Sequence, residues 1–134
     1  YPVPGMDGLI LAVGASETGY ADDTKDSEDS MAVNYSMGPI SVGYQLSNTH
    51  PKNGTTAQEI EAMGVAFNVN DQLSVSFSKN DNQQAGVTEE STGLQAAYSM
   101  GSASVRIAYN EVDNQGAKTG AKGDSTEISL SLAF

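Results

Sequence analysis

The 134-residue sequence contains no cysteine and no tryptophan. Without cysteine there are no disulfide frameworks, thiol nucleophiles or zinc–thiolate centres. Proline is scarce, at 4, and Lys and Arg together number 6. The few basic residues are not clustered, which argues against a nucleic-acid surface, because phosphate binding needs grouped cations. Long apolar runs are missing too. The longest is Leu9-Ile10-Leu11-Ala12-Val13, against the ~20 residues of a membrane-spanning helix, so helical insertion is excluded. Insertion as a barrel is not, because its signal is alternation.

Glycine is abundant, at 14, and 17 acidic residues give a net charge of −11. The acids crowd between strand-like segments: Asp22, Asp23, Asp26, Glu28 and Asp29 in one stretch, Asp81, Glu89 and Glu90 in another. The apolar stretches are nearly free of charge. No signal peptide precedes Tyr1, and Tyr1-Pro2-Val3-Pro4-Gly5 reads as a turn entered from an earlier strand, so upstream sequence is expected.

Period-2 alternation recurs about eight times, over roughly ten residues each. In the last segment Thr126, Ile128, Leu130, Leu132 and Phe134 share one face, and Glu127, Ser129, Ser131 and Ala133 the other. The same pattern sets Val105, Ile107 and Tyr109 against Ser104, Arg106 and Ala108, and Leu73, Val75 and Phe77 against Ser74, Ser76 and Ser78. A soluble sandwich would put Lys, Glu, Thr and Arg on its outward face. Here the second face carries Ser, Gly, Ala, Asn and Gln, which suits a wet, crowded barrel lining.

Short connections at Met37-Gly38-Pro39, Val69-Asn70-Asp71-Gln72 and Met100-Gly101-Ser102 carry turn residues. Long polar ones are expected at about 18–28, 48–58, 80–90 and 112–124, the short–long rhythm of tight periplasmic turns and longer external loops. Asn34-Tyr35-Ser36-Met37-Gly38, Ala66-Phe67-Asn68-Val69-Asn70 and Ala97-Tyr98-Ser99-Met100-Gly101 repeat at roughly 32 residues, one hairpin plus its loop. The expected fold is an all-β, antiparallel, up-and-down transmembrane barrel portion over 1–134, with about eight strands.

Tyr35, Phe67 and Tyr98 precede short turns on the apolar face and, with Phe134, read as a periplasmic aromatic girdle. The competing reading makes them core residues of a soluble β-domain, which leaves the Ser/Gly/Ala face unexplained. Arg106 is the only basic residue within an expected strand, and alternation places it on the small-residue face. It either attracts anionic solutes or partners Glu127 on the neighbouring strand. Gln95, Gln45 and Asn34 join these two as expected pore-lining residues. Lys79 falls on the apolar parity at a loop end, where its stem can snorkel. The acidic stretch Asp22–Asp29 lacks the EF-hand order of ligands and reads as a solvated external loop open to divalent bridging. His50 reads as an exposed loop histidine, and Gly116 to Gly123 lacks P-loop spacing. No catalytic constellation, metal site or cofactor site emerges.

The terminal strand Thr126–Phe134, closing on Phe, resembles the recognition signature of outer-membrane barrels. The whole chain resembles alphaproteobacterial porins of the marine type, through Tyr35-Ser36-Met37-Gly38-Pro39-Ile40-Ser41-Val42-Gly43-Tyr44-Gln45, Asp71-Gln72-Leu73-Ser74-Val75-Ser76-Phe77, the ending Ala133-Phe134, and Tyr1 to Leu9 as an inter-strand periplasmic turn. The resemblance implies about half of a sixteen-stranded, trimeric barrel in the bacterial outer membrane, among lipid and lipopolysaccharide. It also implies engagement of the barrel-assembly machinery through Phe134. The family's inward constriction loop has no counterpart here. The expected function is passive diffusion of ions and small hydrophilic solutes, with a mild cation preference screened within ~8 Å. The alternatives are a complete eight-stranded anchor or adhesin without a pore, and a soluble secreted β-domain.

Overall fold

The computed structural model describes residues 1–19, 25–52 and 56–133. Among them, strands β1 (Leu9–Gly19), β2 (Lys25–Met37), β3 (Ile40–His50), β4 (Gln58–Asn68), β5 (Leu73–Gln84), β6 (Val87–Met100), β7 (Ala103–Asp113) and β8 (Lys122–Leu132) form one sheet. Their order in the sheet is their order in the chain, and every neighbouring pair is antiparallel. β1 and β8 are its two edges. The outer edge of β1 is partly occupied: Leu11 donates to the Tyr1 carbonyl at 2.9 Å and Val3 to that of Leu9 at 3.1 Å. Tyr1 to Val3 therefore lie antiparallel along β1, with a single bridge between Pro2 and Ile10.

Alternation is the physical cause of this arrangement. Successive side chains of a strand point to opposite faces, and residues directly opposite in an antiparallel pair share a face. The register therefore carries one parity across the whole sheet. Leu11, Val33, Tyr44 and Met63 are partners in turn, as are Asn34, Gly43, Gly64, Ser78, Gly93, Asn110 and Ser125 on the other face. A one-residue slip would exchange the two faces entirely.

The sheet is a single layer with no dry interior. Ala108 is the one buried hydrophobic residue among those described, while Ile128 is 71% and Leu130 65% exposed. A soluble β-domain would cover such residues with a second layer, and the described residues supply none. No described helix is long and apolar enough to cross a membrane, which says nothing about crossing by strands.

At one end of the sheet the short turns fall where expected, at 38–39, 69–72 and 101–102. The close approach of the 1–8 turn to β2 requires Gly8. Its φ is +85°, a Cβ there would overlap the Ser36 carbonyl, and Ser36 N–H donates to the Gly8 carbonyl at 2.9 Å. At the other end the strands run further than the polar composition implied. The expected loop at 80–90 is a two-residue hairpin turn, with Ala85 at φ 54° and Gly86 at φ 77°, the left-handed pair of a type I′ turn. Asp81, Glu89 and Glu90 therefore lie in strands, as do Asp26, Glu28 and Asp29 of the acidic stretch; Asp22 and Asp23 lie outside the described residues. His50 ends β3 rather than sitting in a loop. The physical reason is that a ladder continuing into water needs no apolar face, so polarity does not mark its end.

Candidate functional site

The small-residue face offers the most developed surface. Its central row is Asn34, Gly43, Gly64, Ser78, Gly93, Asn110 and Ser125. Side chains are short there for a steric reason: a Cβ on Gly93 would lie 2.9 Å from Ser78 Oγ and 3.0 Å from Asn110 Oδ1. The next row toward the short turns reads Ser36, Ser41, Ala66, Ser76, Gln95, Ala108 and Glu127. Hydroxyls and amides bond laterally within the face, as in Ser36–Ser41 at 2.9 Å and Gln58 Nε2 to Asn82 Oδ1 at 2.8 Å.

Of the residues expected to line a pore, Asn34, Gln45, Gln95, Arg106 and Glu127 all lie on this face by register. Only two of them meet. Arg106 Nη2 pairs with Glu127 Oε1, and Arg106 Nε donates to Ser129 Oγ at 3.3 Å. Ser129 Oγ in turn donates to Glu127 Oε1 at 3.1 Å. The register explains the meeting: Arg106 faces Ser129 directly, and Glu127 is one same-face position away along β8. Gln95 shares the row of Glu127, separated from it by Ala108. Asn34 and Gln45 stand on β2 and β3, remote from the pair.

The opposite face carries an apolar band. On β3 it runs Ile40, Val42, Tyr44 and Leu46; on β8, Thr126, Ile128, Leu130 and Leu132. Seven residues, six steps of ~3.3 Å, span about 20 Å along the strand. Tyr35, Phe67 and Tyr98 lie within two residues of their strands' short-turn ends on this face, while Phe134 lies outside the described residues. A second aromatic set, Tyr44, Phe77 and Tyr109, borders the band on its other side, next to Leu46, Lys79 and Glu111.

Above that border the same parity turns acidic, with Glu17, Asp29, Glu59, Glu61, Asp81 and Glu90 among others. Sequence reasoning had left part of this collar to loops. The signal was available, because Glu59 and Glu61 continue the parity of Met63, Val65 and Phe67. Cations are interleaved: Lys25 bonds Glu17 at 3.2 Å, Lys79 bonds Asp81 at 2.9 Å, and Lys122 bonds Asp113 at 2.8 Å. At the rim, outside the apolar band, the bond to Asp113 and the charge of that carboxylate hold the Lys122 ammonium above its ordinary value. His50 Nδ1 lies 3.8 Å from Asp29, and both are exposed.

The β7–β8 connection is a built loop rather than a loose one. It contains a 3-10-type turn at Gln115–Ala117. Asn114 braces it at both ends of its amide: Nδ2 donates to the Thr88 carbonyl at 2.8 Å, and Oδ1 accepts from Gly120 N–H at 2.8 Å. Gly116 N–H donates to Glu89 on β6. The loop is thereby tied across β7 to the small-residue side of β6. Among the described residues no group of three or more His, Asp or Glu is gathered to hold a metal ion. Chemically the face offers hydrogen bonds, water and one neutralised ion pair.

Comparison with known proteins yields a match to the family model of the Gram-negative porins over residues 1–134. No curated protein and no solved structure matches.

Proposed function

The chain belongs to the Gram-negative porin family, and on that premise we propose that its small-residue face is the wall of a water-filled channel for passive diffusion of ions and small hydrophilic solutes. Its location is the outer membrane, and the family is non-enzymatic in general. One observation carries the channel reading: the sheet has two exposed sides of opposite kind. Large apolar side chains such as Leu94, Ile128 and Leu130 project from one face, fit for hydrocarbon. Short polar ones cover the other, where they leave room for water.

The sheet would be a consecutive portion of a larger barrel, of about sixteen strands. β1 and β8 do not pair with each other, and an unpaired edge in lipid costs several kcal/mol per group. Eight strands close around an interior that side chains fill, and a wall of Gly, Ser and Ala fills poorly. This favours the pore over the eight-stranded anchor. Assembly as a homotrimer, contact with lipopolysaccharide at the acidic collar, and engagement of the assembly machinery through Phe134 complete the reading.

The test is conductance of the purified protein in planar bilayers. Stepwise, ohmic openings that scale with bulk salt conductivity are expected. Purified, folded protein that inserts without conducting would mean the anchor reading is right.

A further inference from the structure

Along the strands, the small-residue face carries four carboxylates, Asp26, Glu28, Glu89 and Glu127, against the single guanidinium of Arg106 among the described residues. An arginine on a wet wall is a recognition element for carboxylate and phosphate groups, because its Nε and Nη2 hydrogens form a planar fork that binds two oxygens at once. In this protein that edge is already occupied. Nη2 is held by Glu127 and Nε by Ser129 Oγ. The side chains of Arg106 and Glu127 are 45% and 56% exposed, so the pair lies open to passing solute, and water screening makes it worth little for stability.

We propose that Glu127 is a specificity-determining residue of the channel: by occupying the fork of Arg106 it cancels the one positive charge on this wall and excludes carboxylate- and phosphate-bearing solutes from an otherwise ready anion site. The remaining carboxylates then bias the wall toward cations. This inference rests on the channel reading above.

Removing the negative charge while keeping the shape, Glu127→Gln, leaves the guanidinium uncompensated, so that an incoming anion can displace the weaker neutral acceptor. One unit charge acting at ~6 Å in water, screened over a Debye length of ~8 Å, shifts cations and anions in opposite senses and changes their local ratio by about threefold. The reversal potential of the full-length protein in a KCl gradient across a planar bilayer should therefore move toward chloride, with the cation-to-anion permeability ratio falling about threefold. Inorganic phosphate should then impede current through E127Q and leave the unmodified protein unaffected. The double variant R106Q/E127Q should return to the unmodified selectivity and lose the phosphate effect, which ties both to the uncompensated guanidinium. Glu127→Ser, which gives the position a residue its neighbours already carry, provides a second route should E127Q fail to assemble. A conducting E127Q or E127S channel with unchanged selectivity overturns the inference alone, as does a shift that persists in the double variant. An unmodified protein that inserts without conducting overturns the channel reading and this inference with it.

Discussion

Val65→Arg and Ala66→Arg place the same guanidinium on adjacent residues of β4, aimed at opposite faces. Val65 sits at the middle of the apolar band on its strand, between Met63 and Phe67, with Val42 and Phe77 as lateral partners. Ala66 faces Ser41 and Ser76. Strand position, flanking turns and backbone bonding are nearly identical, so the comparison isolates the environment of the side chain. If the Val65 face meets hydrocarbon, arginine there costs ~2–4 kcal/mol, the penalty at the bilayer midplane. At ~1.4 kcal/mol per decade that is a shift of roughly 30- to 700-fold in the folding equilibrium. If the Ala66 face meets channel water, arginine there keeps its hydration, and stability should stay within about 0.5 kcal/mol of the parent, while the added bulk lowers single-channel conductance. Urea unfolding in liposomes, read by tyrosine fluorescence because the chain has no tryptophan, gives both stabilities. Equal penalties at the two positions, or a larger one at Ala66, would refute the two-solvent account of the sheet.

Further consequences follow from the turns, the loop and the register. Gly8→Ala forces a Cβ against the Ser36 carbonyl at a left-handed backbone position and should cost on the order of 1–3 kcal/mol in the same assay. Gly38→Ala, at φ +56° in open space, should cost about 1–2 kcal/mol from conformation alone. Asn114→Ala removes both ends of the brace on the β7–β8 loop, so trypsin should cut after Lys118 faster in the variant; an unchanged rate would mean the loop is held by other contacts. Polarised infrared spectra of oriented bilayers should show strands leaning by about 25° or more from the membrane normal, and strands parallel to the normal would contradict the register.

The eight-strand order and the two faces were legible in the sequence because strict alternation carries them. Ile128, Leu130 and Leu132 alternate with Glu127, Ser129 and Ser131 whatever their neighbours do, and Gly38-Pro39 and Gly101-Ser102 mark where the chain reverses. The strand ends away from the short turns were not legible, because above Leu46 or Phe77 both faces turn polar and the contrast that defines a strand vanishes. Asp81 and Glu90, partners across a ladder, therefore looked like loop. The Arg106–Glu127 contact was legible only as one of two readings. Both residues could be assigned to a face from alternation, but their meeting depends on the register that sets Arg106 opposite Ser129, which no single strand encodes.

Register also determines how the sheet must sit in the bilayer. The ladder partners that begin at Leu11 run through Val33, Tyr44 and Met63 and then reach Lys79, Thr92, Glu111 and Asp124. Were the strands upright, these residues would share one depth, and Lys79, Glu111 and Asp124 would sit in hydrocarbon beside Leu11. A leaning sheet avoids this. The row that starts at Met37, at the short-turn end of β2, passes Ile40, Phe67, Val75, Ala96 and Ile107 to reach Ile128, four residues short of the end of β8 at Leu132. Four residues at ~3.3 Å against six strand steps at ~4.8 Å correspond to a lean of about 25°, approaching the ~35–45° of closed outer-membrane barrels. The same lean brings Leu11 and Leu130 to similar depth and lifts Lys79, Glu111 and Asp124 to the rim, where their charges meet water. The apolar band and the acidic collar are thus level in the membrane only because the hydrogen-bond rows are not.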